Sequence, residues 1–338
     1  MQYSITKNIP SVFVVTSPFQ ALCAIAAKRQ FEINEYLMLA IMGGEEDSRL
    51  EQVEFILKYY NLDYQIMQID RLKYHQLRFK SLMFGKKMYM RIFVGDMKNP
   101  LLSYIGLCFA KNNAELIYLD DGNSTISILK GLWYPYNIPR KDLYLLKLIG
   151  KFRQIKLFKN LCTIYKNIEN VNYIVSYLDL SQILMIPSNH IADIILFVGT
   201  NNVAYCNELG LIQESFYNSL KKILTLIKQK NPLCKLVYIP HGRDDGRYTR
   251  NICTEVGWNF LRPLGTVESF VASSKIIPRT IYGFTSSALF NLKSIFKSTS
   301  VVNLLIDDSV NIEALKEYHA IASFYEENNI ETYIVSLN

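Results

Sequence analysis

The chain has 338 residues, half of them hydrophobic and 20% charged, with a formal net charge of +7. That length exceeds the usual size of one core and favours two domains, and the apolar fraction excludes a disordered chain. The basic excess points to an anionic partner such as a nucleotide, an acidic glycan or a membrane surface. No zinc-finger, RNP-like or helix-turn-helix pattern supports nucleic acid in that role.

The first element lies in "SVFVVTSPFQALCAIAA". Val12–Val15 predict a strand, Pro18 suits the first turn of a helix, and Ala21–Ala27 propagate it. The break at Ser17-Pro18, together with Gln20, argues against a spanning helix, which needs about 20 mostly apolar residues. "MQYSITK" lacks the basic end of a signal peptide, so a cytoplasmic location is expected. Six cysteines (Cys23, Cys108, Cys162, Cys206, Cys234, Cys253) fall singly, mostly in apolar surroundings. They read as buried thiols in a reducing compartment rather than disulfides or zinc ligands.

A second strand is predicted over 36–41, followed by "GGEED" and a helix over about 48–60, then a third strand over 64–69. A helical stretch around 101–112 precedes the strand of "AELIYLDDG". The pattern resumes after about residue 170: strand and loop over 192–202, helix over 212–230, and strand and loop over 235–245. A strand–loop–helix unit spans 279–292, and a last strand spans 300–306. Short apolar strands alternating with helices predict an α/β protein with parallel sheets and helical crossovers. The two domains join somewhere within 165–192; a division at 1–170 and 171–338 is adopted. Residues 140–166 carry eight basic residues against one acid, Asp142, with apolar residues interleaved. A helix there would be apolar on one face and cationic on the other. It suits either an anionic membrane surface or ordinary packing on the N-terminal domain.

No GxGxxG, Walker A or HExxH pattern occurs. In open parallel sheets ligands bind beyond the carboxyl ends of the strands, so the residues just after each predicted strand are the candidates. In the first half these are Thr16, Ser17 and Gln20, then Gly43 and Gly44, then Asp120, Asp121 and Gly122. In the second half they are Gly199, Thr200 and Asn201, then His241 and Gly242, then Thr285, Ser286 and Ser287. Asp120-Asp121-Gly122 suits a plain strand-ending turn. Two adjacent carboxylates also repel, which raises the proton affinity of one and fits it for general base work. Adjacent aspartates on a strand point to opposite faces, which disfavours a shared metal ion. His241 is either a structural residue or, with the backbone N–H groups after it, an anion contact. Ser286 or Ser287 would be an N-cap, and the bare helix start with its hydroxyls would suit a phosphate.

Taken together, "TSPFQALCA", the Asp-Asp-Gly, the His-led loop after a strand and the later Ser-Ser resemble bacterial sialyltransferases of glycosyltransferase family 52. The related capsular polysialyltransferases share the likeness. The resemblance implies a GT-B fold of two facing Rossmann-like domains, an N-terminal acceptor-side domain and a C-terminal domain that binds the CMP donor. It implies an inverting transfer of sialic acid from CMP-sialic acid to a hydroxyl of a lipooligosaccharide or capsule glycan. No cofactor or metal is implied, and the acceptor would be lipid-linked at the inner face of a membrane. Asp121, or else Asp120, would be the base. His241, Ser286 and Ser287 would hold the leaving phosphate, and Glu268 the ribose hydroxyls of CMP. An oligomer is compatible with all of this. The family carries His-Pro where this chain has His241-Gly242. A transferase for another CMP-activated acidic sugar (Kdo-like) and a non-catalytic nucleotide- or glycan-binding protein are the alternatives. A sugar-nucleotide epimerase is disfavoured by the lack of an acid-containing phosphate loop.

Overall fold

The computed structural model describes residues 7–42, 49–68, 88–132, 160–166, 173–184, 191–274 and 276–337. The predicted "GGEED" loop with Gly43 and Gly44, and residues 140–159 of the basic stretch, lie outside these. The chain divides into two compact units after Ile183.

The first unit contains β1 (Ser11–Val15), α1 (Pro18–Gln30), β2 (Tyr36–Met42), α2 (Arg49–Tyr59), β3 (Gln65–Gln68) and β4 (Tyr89–Val94). It continues through α3 (Pro100–Cys108), β5 (Ala110–Leu119), α4 (Asn123–Leu129), β6 (Asn160–Thr163) and β7 (Ile174–Tyr177). The strands form one parallel sheet in the order β3-β2-β1-β4-β5-β6-β7. Every residue of β1 is buried, as a strand covered on both faces requires. Phe13 and Phe93, in register on β1 and β4, stack at 4.6 Å.

The second unit contains β8 (Ile191–Val198), α5 (Asn202–Leu209), α6 (Gln213–Lys230), β9 (Lys235–Ile239), α7 (Arg247–Val256) and β10 (Asn259–Phe260). It closes with α8 (Val267–Ser273), β11 (Ile277–Gly283), α9 (Ser287–Ile295), β12 (Ser300–Ile306), α10 (Ile312–Glu327) and β13 (Glu331–Val335). Its parallel sheet runs β10-β9-β8-β11-β12-β13. Both sheets thus build outward one way from their first strand, then cross over and build the other way. The reversal falls at β1/β4 in one and at β8/β11 in the other, which is where such sheets bind ligands.

Three expectations need correction. The boundary at 170 falls short, because β7 pairs with β6 and belongs to the first sheet; the division still lies within 165–192. The helix expected to reach 112 ends at Cys108, since Ala110 already pairs with Tyr89. The helix read over 140–166 does not reach its end, because Asn160–Thr163 form β6, inserted between β5 and β7 with Leu161 and Cys162 buried. All six cysteines are free thiols, and four of them are buried. Among the described residues no helix is long and apolar enough to cross a membrane.

Candidate functional site

In the first domain, β1, β4 and β5 are neighbours, so the residues that follow them gather at one sheet edge. Ser17 caps α1, its Oγ accepting from the Gln20 N–H at 3.2 Å, and Pro18 follows in the first turn. That capping turn points the Gln20 side chain back over the end of the sheet, where it is buried. Gln20 Oε1 accepts from the Thr16 N–H at 2.8 Å and the Thr16 hydroxyl at 3.0 Å. Gln20 Nε2 donates to Asp121 Oδ1 at 2.6 Å.

The two aspartates have separate fates. Asp120 is fully buried. Its Oδ1 accepts from the Gly122 N–H at 2.8 Å, and its Oδ2 accepts from the Ile164 N–H at 3.0 Å and from the Thr163 hydroxyl. It therefore fastens the end of β5 to the end of β6. Burial pushes its pKa up to about 6, and these donors oppose the rise. Asp121 is half-buried on the other side of the chain, with its N–H donating to Thr125 Oγ1 at 2.9 Å. Gly122 then turns at φ 66 to start α4, a conformation that side chains rarely adopt.

The proton affinity of Asp121 is raised further, to about 8. Burial is the main cause, followed by the Asp96 carboxylate; Asp120 contributes less, after the opposing Gln20 hydrogen bond. The expected repulsion is present, but its main source is Asp96, which the sequence reading missed. Asp96 follows β4, a strand that reading did not identify. Applying the same strand-end rule to "RIFVGD" would have found it.

In the second domain, β9, β8 and β11 are neighbours, so the residues after them share one edge. Asn201 caps α5. Asn202 Nδ2 donates to Asp244 Oδ2 at 2.9 Å, tying the loop after β8 to the loop after β9. Gly199 has a structural reason to be glycine: a Cβ there would lie 2.6 Å from the Tyr238 hydroxyl. Thr200 is half-buried beside it.

The His241 carbonyl accepts from the Asp244 N–H at 3.0 Å, closing a turn with Gly242 in its second position. Positive φ occurs at Gly246 but not at Gly242. Proline is favoured at that second position, so the backbone dihedral admits either His-Gly or His-Pro, with proline removing the Gly242 N–H. His241 Nδ1 accepts from the Arg243 N–H at 3.1 Å, which leaves the ring proton on Nε2. Burial, then Arg243 and Arg262, lower the pKa of His241 to about 4. The ring is a neutral, half-buried donor.

After β11 the chain turns sharply into α9. Thr285 sits at φ 33, with its N–H donating to Asn303 Oδ1 at 2.7 Å. Ser286 occupies the N-cap position of α9, yet its side chain makes no capping hydrogen bond. Its hydroxyl thus caps none of the first N–H groups of α9; the Leu289 N–H donates instead to the Ser286 carbonyl at 2.9 Å, and Ser287 opens the first turn. Glu268 lies in the first turn of α8 but is buried rather than solvated. Its Oε1 accepts from Asn291 Nδ2 of α9 at 2.7 Å, and burial raises its pKa. Among the described residues no group of three or more metal-ligating side chains gathers.

The structure thus brings Thr16, Ser17, Gln20 and Asp121 to one edge in the first domain. It brings Thr200, Asn201, His241, Ser286 and Ser287 to the matching edge in the second. Asp120, Gly199 and Glu268, the last expected to take the ribose but buried against Asn291 of α9, are committed to internal contacts.

No protein-family model matches the sequence, and no curated protein matches it. Solved structures do match over nearly the whole chain. The S. aureus MnaA–UDP co-structure aligns with a TM-score of 0.55 at 11% identity, covering 93% of this chain and 90% of that one. A candidate UDP-N-acetylglucosamine 2-epimerase from Listeria monocytogenes aligns at 0.52 and 10% identity, covering 95% and 88%. Another UDP-N-acetylglucosamine 2-epimerase aligns at 0.50 and 10% identity, covering 94% and 90%. The fold is of the GT-B type, built from two parallel-sheet α/β domains.

Proposed function

We propose that the protein is a sugar-nucleotide-dependent glycosyltransferase, specifically an inverting sialyltransferase that uses CMP-sialic acid. The observation that carries the reading is the anion-ready edge of the second domain: a neutral His241 with its proton on Nε2 after β9 and, two strands along the same edge after β11, a helix start that has no side-chain cap. CMP activates its sugar through one phosphate, so less charge must be neutralised on departure than with a diphosphate. A helix N-terminus, hydroxyls and a neutral imidazole donor supply stabilisation of that kind without a metal ion.

In the first domain, Asp121 has the raised proton affinity that suits a base working near neutral pH. Its carboxylate would take the proton of the acceptor hydroxyl as that oxygen attacks the anomeric carbon. The bond from that carbon to the CMP phosphate oxygen breaks, CMP leaves with the electron pair, and one displacement inverts the centre. The acceptor would be a surface glycan, lipid-linked and met at the cytoplasmic face of a membrane. Residues 140–159 would supply the contact with anionic lipid, and no nucleic acid or cofactor takes part.

A second reading has a specific observation behind it: two of the aligned structures carry the name UDP-N-acetylglucosamine 2-epimerase. One experiment separates the two. The purified protein, with and without EDTA, is offered CMP-sialic acid, CMP-Kdo and UDP-N-acetylglucosamine, with calorimetry for binding and NMR for products. Sialic acid release or transfer that survives EDTA is expected. Binding of UDP-N-acetylglucosamine with formation of its 2-epimer would overturn the transferase reading. CMP binding without turnover would leave a nucleotide-binding protein.

A further inference from the structure

We infer that Gln20 is a positioning residue that holds Asp121 rather than a contact for substrate; the inference rests on the base role proposed for Asp121. Both ends of its amide are engaged within the protein. Because a backbone N–H can only donate, the oxygen of the amide must face Thr16, and the NH2 group must therefore face Asp121. The orientation of the amide follows from the chain itself.

The path of this side chain is also built. It runs from the start of α1 to the loop after β5, and β4 lies between β1 and β5 in the sheet. The residue that follows β4 on this path is Gly95. A Cβ at that position would stand 2.3 Å from Gln20 Oε1 and 2.5 Å from its Cδ. Only a residue without a side chain lets the amide cross. Gly95 itself is pinned, its N–H donating to the Val14 carbonyl at 2.9 Å.

The consequence falls on one oxygen. Gln20 occupies Oδ1 of Asp121, while among the described residues no hydrogen bond reaches Oδ2. One lone-pair direction is fixed and the other is presented. A donor on Oδ1 also favours the ionised form, limiting the rise that burial and Asp96 impose. Gln20 therefore aims the carboxylate and tempers its proton affinity.

The test uses Gln20→Glu, which keeps the side-chain length and an acceptor for Thr16 but replaces the donor facing Asp121 with an oxygen. The titration of Asp121 is followed by 13C NMR of aspartate-labelled protein, its signal assigned by its loss in Asp121→Asn. The midpoint is expected to rise by about one to two pH units, the scale of losing a hydrogen bond to a charged group. The acidic limb of kcat/KM for transfer from CMP-sialic acid should rise with it, with kcat lowered and KM for the donor nearly unchanged. Gly95→Ala, which leaves the amide in the sequence but displaces it, should move the midpoint in the same direction. An unmoved midpoint in folded Gln20→Glu, or in Gly95→Ala should the first variant unfold, overturns the inference. If Asp121→Asn keeps full transfer activity, the base reading fails, and the titration still decides whether Gln20 holds Asp121.

Discussion

The two domains repeat one strand order, yet the edges where each would bind a ligand have opposite characters. At the first, Asp121 feels the Asp96 carboxylate after β4, and burial raises the proton affinity of both members of the Asp120-Asp121 pair. At the second, a histidine is held neutral near two arginines, and a helix begins with no side-chain cap. One edge retains protons and the other is ready for an anion. The difference teaches that the shared topology sets only where chemistry happens; a few residues after each strand set its sign.

The largest way to break this comparison is Asp121→Asn. CMP binding should stay near wild type while transfer falls by roughly 10²–10⁴-fold, the usual scale for losing a general base. In the wild type the base must be ionised, so kcat/KM should climb as pH rises through about 8 and then level off. Retention of transfer in this variant would remove the acid–base role from the first domain.

Next in size is His241→Ala. Losing one preorganised donor to the leaving phosphate should cost about 2–4 kcal/mol of transition-state stabilisation, mostly as lower kcat. A variant as fast as wild type would return the second edge to simple nucleotide binding.

Asp120→Asn should separate the adjacent carboxylates. An amide cannot accept from Gly122, Thr163 and Ile164 as the carboxylate does, so stability should drop by about 1–3 kcal/mol. Turnover per folded molecule should change little. Loss of turnover at unchanged stability would reverse the roles of the two aspartates.

The two edges should also bend stability in opposite directions with pH. Asp121 is raised from its ordinary 3.8 to about 8, so its contribution is whole below about 4 and is lost as pH rises towards 8. His241 is lowered from 6.5 to about 4, so its contribution is whole above about 6.5 and is lost as pH falls towards 4. Relative to wild type, Asp121→Asn should gain melting temperature on the alkaline side and His241→Gln on the acid side. Parallel trends would show that the opposite electrostatics have been misread.

Gly242→Pro should have the smallest effect. The turn places Gly242 where proline is favoured, without positive φ. The variant should fold, lose no more than about 1 kcal/mol with the Gly242 N–H, the worth of one hydrogen bond, and keep its activity. Collapse of activity would mean that the His-Gly loop needs a conformation proline forbids.

The readable parts of the chain were those whose signal is local. The strand 300–306 appears at the expected residues because "SVVNLLI" has apolar residues on either side of a single asparagine. The helix expected over 212–230 is Gln213–Lys230, an amphipathic stretch. The unread parts depend on distant partners. "YMRIFV" was not recognised as β4 because Arg91 interrupts it; Glu115 on β5 neutralises that arginine at 2.8 Å. "NLCT" sat inside a basic run, and its strand character comes from β5 and β7 on either side. β13 is an edge strand whose Tyr333 and Ile334 stay exposed, so its short apolar run marks no core strand. At the sites, the strand-end rule found Asp121 and His241. The Gln20–Asp121 bond, which spans 101 positions, and the His241 tautomer needed the folded geometry.

Thr285 carries a final consequence, for selection and engineering. A β-branched residue at φ 33 is held in a region that costs of order 1–3 kcal/mol. Glycine reaches that region without steric penalty. A library screened for thermal resistance alone should therefore drift towards glycine at position 285, whereas one screened for turnover should hold the threonine if the sharp entry into α9 serves the site. Position 285 is where the two screens would part company, and sequencing both pools would show whether the strained turn belongs to the fold or to the chemistry.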